Sequence, residues 1–269
     1  MDLGTIENVT MPTRRSELPS GADDTAVIAG GTWLLSEKQD HLRRLVDITA
    51  FGWEPLAAVE NGVDIAATCT IDQLAATRFA EWPATELFHR CAAALLASFK
   101  IWHVATVGGN IALALPAGAM ISLTTALDGR ALVWGSDGTD RTVAVEDVVI
   151  GPGRNALSRG DVLRSIHLPI RALHARTAFR KVALSPEGRS ASIVIGRVDT
   201  DGQFVLSITA STVRPFVLRF PQPPSAAELT AAIDAAVPAT AWYDDPHGAP
   251  DWRRHISAQS AHEVLEELT

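Results

Sequence analysis

Ala29-Gly30-Gly31-Thr32-Trp33-Leu34 follows the apolar run Ala26-Val27-Ile28, and Thr106-Val107-Gly108-Gly109-Asn110 follows Ile101-Trp102-His103-Val104-Ala105. Each glycine pair comes directly after a stretch that reads as a strand, and each has a hydroxyl or amide side chain beside it. Glycine admits positive φ and lets backbone N–H groups come close to an anion. One such turn, met alone, is more often a plain strand-to-helix connection than a ligand site. Two in one chain predict a ligand with a diphosphate, gripped from both sides. The expected donors are the N–H groups of Gly30, Gly31, Thr32 and Gly109, joined by the hydroxyls of Thr32 and Thr106.

The rest of the 269 residues bounds the possibilities. The chain is long enough for one large or two to three small domains, and its 47% apolar share is ordinary for a folded protein, which argues against disorder. A formal net charge of −8 argues against a nucleic-acid partner. Cys69 and Cys91 are the two cysteines. They form no disulfide framework, suit a reducing cytoplasm, and are too few for an iron–sulfur cluster, which takes four thiolates. Met1 to Pro19 does not read as a signal peptide. Val104 to Leu127 is the most apolar region, but Gly108, Gly109, Asn110, Pro116 and Gly118 break it up, so no membrane span is expected.

Coarse periodicity places a buried strand at 26–28, a turn or short helix at 36–45 and a strand at 45–48. A strand at 63–67 leads to a helix capped by Thr70 or Asp72. Helices are expected at 86–98 and 117–127, and a hairpin across Gly135-Ser136-Asp137-Gly138. Three strand-like runs follow at 179–184, 191–198 and 204–212, the last two joined through Asp199-Thr200-Asp201-Gly202. Helices at 226–236 and 260–268 close the chain. Gly151-Pro152-Gly153-Arg154-Asn155-Ala156 fits a dinucleotide fingerprint, but Pro152 removes a donor from the turn, so an exposed loop is expected there.

On the two glycine turns the chain resembles the flavin-binding subunits of the molybdenum hydroxylases, the family of xanthine dehydrogenase and aerobic carbon monoxide dehydrogenase. Further segments resemble that family in the same order: Val63 to Leu74, Leu157 to Pro169, Ala178-Phe179-Arg180-Lys181, and Trp252-Arg253-Arg254-His255. The resemblance implies an α+β fold. It consists of a two-lobed FAD-binding domain of the vanillyl-alcohol-oxidase/PCMH type over 1–171 (lobes about 1–50 and 51–171) and a small α+β C-terminal domain over 172–269. It implies FAD as cofactor, bound by Ala29, Gly30, Gly31, Thr32, Trp33, Leu34, Thr106, Gly108, Gly109, Asn110, Leu163 and Lys181. No residue of this chain is expected to act as an acid or base. It also implies an iron–sulfur small subunit and a molybdopterin large subunit as partners, with NAD, oxygen or a quinone as electron acceptor.

Plainer interpretations stand beside these. Lys181 reads equally as a solvated lysine on a sheet face, Leu163 as ordinary core, and Trp252 to His255 as a solvated helix start. The chain departs from the family at Ala119, where many members carry an acid, at Ile101-Trp102-His103, and after Lys181, where an expected arginine is replaced by Leu184 and Ser185. The changes at Ala119 and after Lys181 motivate one alternative, a flavin-free structural subunit; a free-standing flavoprotein oxidoreductase is a second.

Overall fold

The computed structural model describes residues 4–269. Strands β1 (Asn8–Thr10), β2 (Thr25–Ile28) and β3 (Arg44–Asp47) form a parallel sheet in the order β1-β3-β2. Strand β2 is only half-buried, because its sheet is small and one face lies open toward a cavity described below. Residues 36–43 form turns.

Next come β4 (Leu56–Val59), β5 (Gly62–Ala66) and four helices, α1 (Ile71–Ala76), α2 (Glu86–Ala94), α3 (Phe99–Trp102) and α4 (Val107–Leu113). They are followed by α5 (Ala119–Ala126), β6 (Arg130–Trp134), β7 (Asp140–Ala144), α6 (Val145–Val148), β8 (Val149–Gly151), β9 (Arg154–Asn155) and β10 (Val162–Pro169). These strands give an antiparallel sheet β4-β5-β10-β6-β7 and a small hairpin of β8 with β9. Gly153, at φ +65°, turns that hairpin, so the segment from Gly151 to Ala156 is not a phosphate loop.

After α7 (Ile170–Leu173), β11 (Arg176–Val182), β12 (Ser192–Val198), β13 (Phe204–Thr209) and β14 (Phe216–Phe220) form an antiparallel meander, covered by α8 (Ala226–Ala236) and α9 (Pro250–Leu268). Every residue of β13 is buried, since α5 packs on one face of this sheet and the terminal helices on the other. Ser122 on α5 and Thr209 on β13 share a hydrogen bond of 2.7 Å across that contact.

Several expectations are corrected. The segment before the second glycine turn is helical over Phe99–Trp102, not a strand. The isolated bridge between Thr70 and Thr106 comes only after this segment, and a short apolar run does not distinguish strand from helix. Helix α2 stops at Ala94 rather than at 98, and α9 begins at Pro250, a residue suited to a first helical turn. Strand β14 lies between Pro215 and Pro221 and was hidden by them. Arg253 is not solvated: it is 1% exposed and donates to the carbonyls of Gly248, Ala191 and Ala210. Thr70 caps α1 with a reciprocal bond to Gln73, and Asp199 to Gly202 turns the β12–β13 hairpin with Gly202 at φ +89°. No helix among the described residues is long and apolar enough to cross a membrane.

Candidate functional site

A cavity of about 500 Å³ lies where the turn after β2 meets the residues after α2 and helix α4. All six residues from Ala29 to Leu34 line it, together with Thr106, Gly109 and Asn110, so the two glycine turns face one space.

The first turn presents donors. Gly31 has φ +66°, a left-handed conformation that favours glycine. The carbonyls of Gly31 and Trp33 accept from the N–H groups of Leu35 and Ser36 at 2.8 and 2.9 Å. The N–H groups of Gly30, Gly31, Thr32, Trp33 and Leu34 have no protein acceptor among the described residues. Five consecutive uncommitted donors thus stand beside the cavity. Gly30 is needed for a second reason: a Cβ there would lie 1.9 Å from the carbonyl oxygen of Val104. The turn therefore rests directly on the chain that leads into α4.

The second turn is built differently. Thr106 is the N-cap of α4, and its Oγ1 accepts from the Gly109 N–H at 3.1 Å. The N–H groups of Val107 and Gly108 donate to the carbonyls of Cys69 and Ala67 at 2.8 and 2.9 Å. The expected Gly109 donor is thus committed to its own cap. What the second turn offers instead is the Asn110 amide. Its Oδ1 accepts from Met120 N–H at 3.0 Å, which orients the group and leaves Nδ2 without a protein acceptor among the described residues. The Thr106 hydroxyl proton is likewise uncommitted.

The remaining walls are mostly apolar and include Ile28, Leu95, Leu96, Ile101, Leu113 and Leu115; Arg189 and Ser190 enter from the β11–β12 loop. Neither Arg189 nor the 95–97 segment carried a sequence signal, since each is an ordinary loop residue brought in by tertiary packing. A second cavity of about 250 Å³ shares Val27 with the first and is lined by Thr25, Leu157 and Val162 among others. Asp161 shapes its rim: the carboxylate accepts from Ser136 and Ser158 N–H at 3.1 and 2.8 Å and pairs with Arg141 at 2.7 Å.

Three expected residues do not line the main cavity. Gly108 packs against the chain after β5, where a Cβ would lie 2.4 Å from Ala67 Cβ. Leu163 is buried on β10, opposite Val133 and next to Val162 of the second cavity. Lys181 is half-buried on β11, opposite Ile193, at the base of the loop that carries Arg189. Ala119 is fully buried at the start of α5, while its neighbours Ala117 and Gly118 line the cavity. Burial pushes the Cys69 thiol up to about 12 and the Cys91 thiol higher still, so neither is a ready nucleophile.

The frame sets a glycine turn with free backbone donors against a capped, glycine-bearing helix start across one cavity. The chain belongs to a family described as "FAD binding domain in molybdopterin dehydrogenase", whose model matches residues 13–171. It is accordingly a member of an oxidoreductase family that uses FAD. It is 30% identical over 165 residues to the nicotinate dehydrogenase FAD-subunit of Eubacterium barkeri, a match covering 59% of this chain and 55% of that relative. The chain thus spans about half the length of that curated relative. Its fold matches a chain of reconstituted CO dehydrogenase from Oligotropha carboxidovorans, with TM-score 0.82 at 20% identity, covering 100% of this chain and 99% of the other. It also matches a chain of quinoline 2-oxidoreductase from Pseudomonas putida 86, with TM-score 0.80 at 18% identity, covering 100% and 98%.

Proposed function

We propose that this chain holds FAD non-covalently and passes electrons from iron–sulfur clusters on a small partner chain to NAD, oxygen or a quinone. The large chain of that cytoplasmic assembly would carry molybdopterin. The observation that carries the proposal is the run of five uncommitted N–H groups from Gly30 to Leu34 on the wall of a cavity that Asn110 also faces. The residues fit the cofactor. Neutral donors suit a diphosphate, apolar walls suit a flat ring and exclude water, and the second cavity across Val27 suits the adenosine end.

In this account the Gly30 to Leu34 backbone binds the diphosphate oxygens, and the Asn110 amide with the Thr106 hydroxyl closes the grip from the other side. Ala29 ends the strand that aims the turn. Gly108 keeps α4 pressed on the chain after β5, and Gly109 leaves the cavity floor open. Leu163 backs the wall formed by Val162, and Lys181 stands at the base of the loop that brings Arg189 to the cavity. Residues 1–171 would form the FAD-binding unit in two lobes, and 172–269 a domain that bounds it. FAD, when bound, supplies a ring that exchanges electrons singly or in pairs. With only Cys69 and Cys91, the clusters belong on another chain.

The test is native purification of the tagged chain from its own source, with metal, flavin and subunit analysis. The expected result is co-purification with one chain containing iron and acid-labile sulfide and one containing molybdenum. A monomer that turns over a substrate without either would contradict it.

A further inference from the structure

Arg189 is the one charged side chain among the described residues lining the main cavity. It is half-buried, and its guanidinium has neither a hydrogen-bond nor an ion-pair partner among the described residues. The fully buried arginines are satisfied, and half-buried Arg90 and Arg164 lie over the rings of Phe179 and Trp53. Arg197 meets Asp128, Asp199 and the carbonyl of Ala126, and Arg253 meets Asp245 and three carbonyls. A partly desolvated cation without a partner costs free energy that a ligand anion would recover.

The backbone that carries Arg189 is held on both sides. Ser190 Oγ donates to the Ala94 carbonyl at 3.2 Å. Ala191 N–H donates to Val182 at 2.8 Å, and the Ala191 carbonyl accepts from buried Arg253 at 2.6 Å. The loop is therefore a fixed mount and not a free strap. It is tied at Ala94, beside the apolar wall of Leu95 and Leu96, whereas the glycine cradle is tied at Val104, at the other end of the same segment. The cradle already supplies neutral donors to the diphosphate, which leaves the Arg189 corner for the ring.

We propose that Arg189 stabilises the negative charge of the reduced flavin ring and so raises its midpoint potential. The inference rests on FAD occupying this cavity. Two electrons from the iron–sulfur donors and one proton from solvent leave the ring with one net negative charge. A guanidinium beside it favours that state over the neutral oxidised ring.

The test is potentiometric titration of the purified, FAD-loaded chain, with Arg189→Met and Arg189→Lys beside wild type and FAD affinity measured for each. Arg189→Met is expected to bind reduced flavin about tenfold more weakly relative to oxidised flavin. That lowers the midpoint by about 30 mV for a two-electron couple. Arg189→Lys is expected to retain most of the wild-type potential, and oxidised FAD is expected to bind all three within about threefold. An unchanged midpoint in fully loaded Arg189→Met would overturn the proposal. So would a loss of oxidised-FAD binding in a natively folded Arg189→Met, which would assign the guanidinium to the diphosphate. Failure of the wild-type chain to take up FAD would instead strike the cofactor assignment itself, and this proposal with it.

Discussion

Replacing Gly30 by alanine tests the cradle with a single methyl group. The new Cβ would lie 1.9 Å from the Val104 oxygen, 2.7 Å from the Val104 carbonyl carbon and 3.1 Å from Ala105 Cα, all backbone atoms, whereas ordinary contact begins at 3.4 Å. The gap must open from 1.9 to 3.4 Å, a shift of about 1.5 Å. The α3–α4 side is pinned, because Ala105 N–H donates to Ile101 at 2.7 Å and its carbonyl accepts from Ile71 at 2.9 Å. The glycine turn has to move instead. A charge-assisted hydrogen bond has little tolerance for such a displacement. Losing two of them, at about 1.5–3 kcal/mol each, costs about 3–6 kcal/mol, or roughly two to four decades in Kd. Flavin-fluorescence titration of the apoprotein measures this, with far-ultraviolet circular dichroism confirming the fold. Gly109→Ala is the control, since its Cβ meets only Thr106 Oγ1, at 2.9 Å. Weakening that cap costs ~1 kcal/mol, so affinity is expected to fall by less than about tenfold. A folded Gly30→Ala that binds FAD within threefold of wild type would refute the reasoning.

The larger Gly109→Val pushes past the Thr106 hydroxyl into the cavity and is expected to abolish FAD retention while the circular dichroism spectrum is unchanged. Asp128→Asn is expected to destabilise the fold by about 1–3 kcal/mol at pH 7, measured by urea unfolding, because it removes one of the two carboxylates that buried Arg197 meets. Burial opposes ionisation of Asp128, but the guanidiniums of Arg197 and Arg219 outweigh it and hold the carboxyl below the usual carboxylate range. Its contribution is therefore full above the unfolded value of about 4 and is lost as pH falls through the lower folded value, so the gap between mutant and wild type should close in acid. Cys69 and Cys91 are expected to resist a thiol reagent at pH 8 until the chain is unfolded, since both are fully buried with raised pKa.

Much of the frame was legible because local chemistry and tertiary context agreed. Ser225 caps α8 with Glu228 three residues on, and that helix runs over Ala226–Ala236 as its spacing indicates. The turn at Gly202 demanded a left-handed residue and had one. Where the two levels disagreed, the sequence misled. Ile101 and Trp102 look extended, yet no strand among the described residues pairs with them. Arg253 looks like a surface charge, yet three carbonyls and Asp245 draw it inside. At the site, the motif located both turns but not the division of labour between them. Gly109 N–H belongs to the Thr106 cap, and Gly108 is small because of Ala67 and not because of a ligand. Such distinctions depend on which neighbour arrives, and a local pattern does not encode that. Arg189 illustrates the same limit, since its place at the cavity follows from anchors at Ala94 and Arg253, both far away in sequence.

We propose that the Gly30 to Leu34 backbone binds the diphosphate of FAD without a covalent link. Flavin analysis of the purified chain after reconstitution and acid precipitation tests it most directly. One FAD per chain is expected, all of it released to the supernatant and identified as the intact dinucleotide. A folded chain that takes up no FAD, or one whose flavin stays with the precipitated protein, would contradict it.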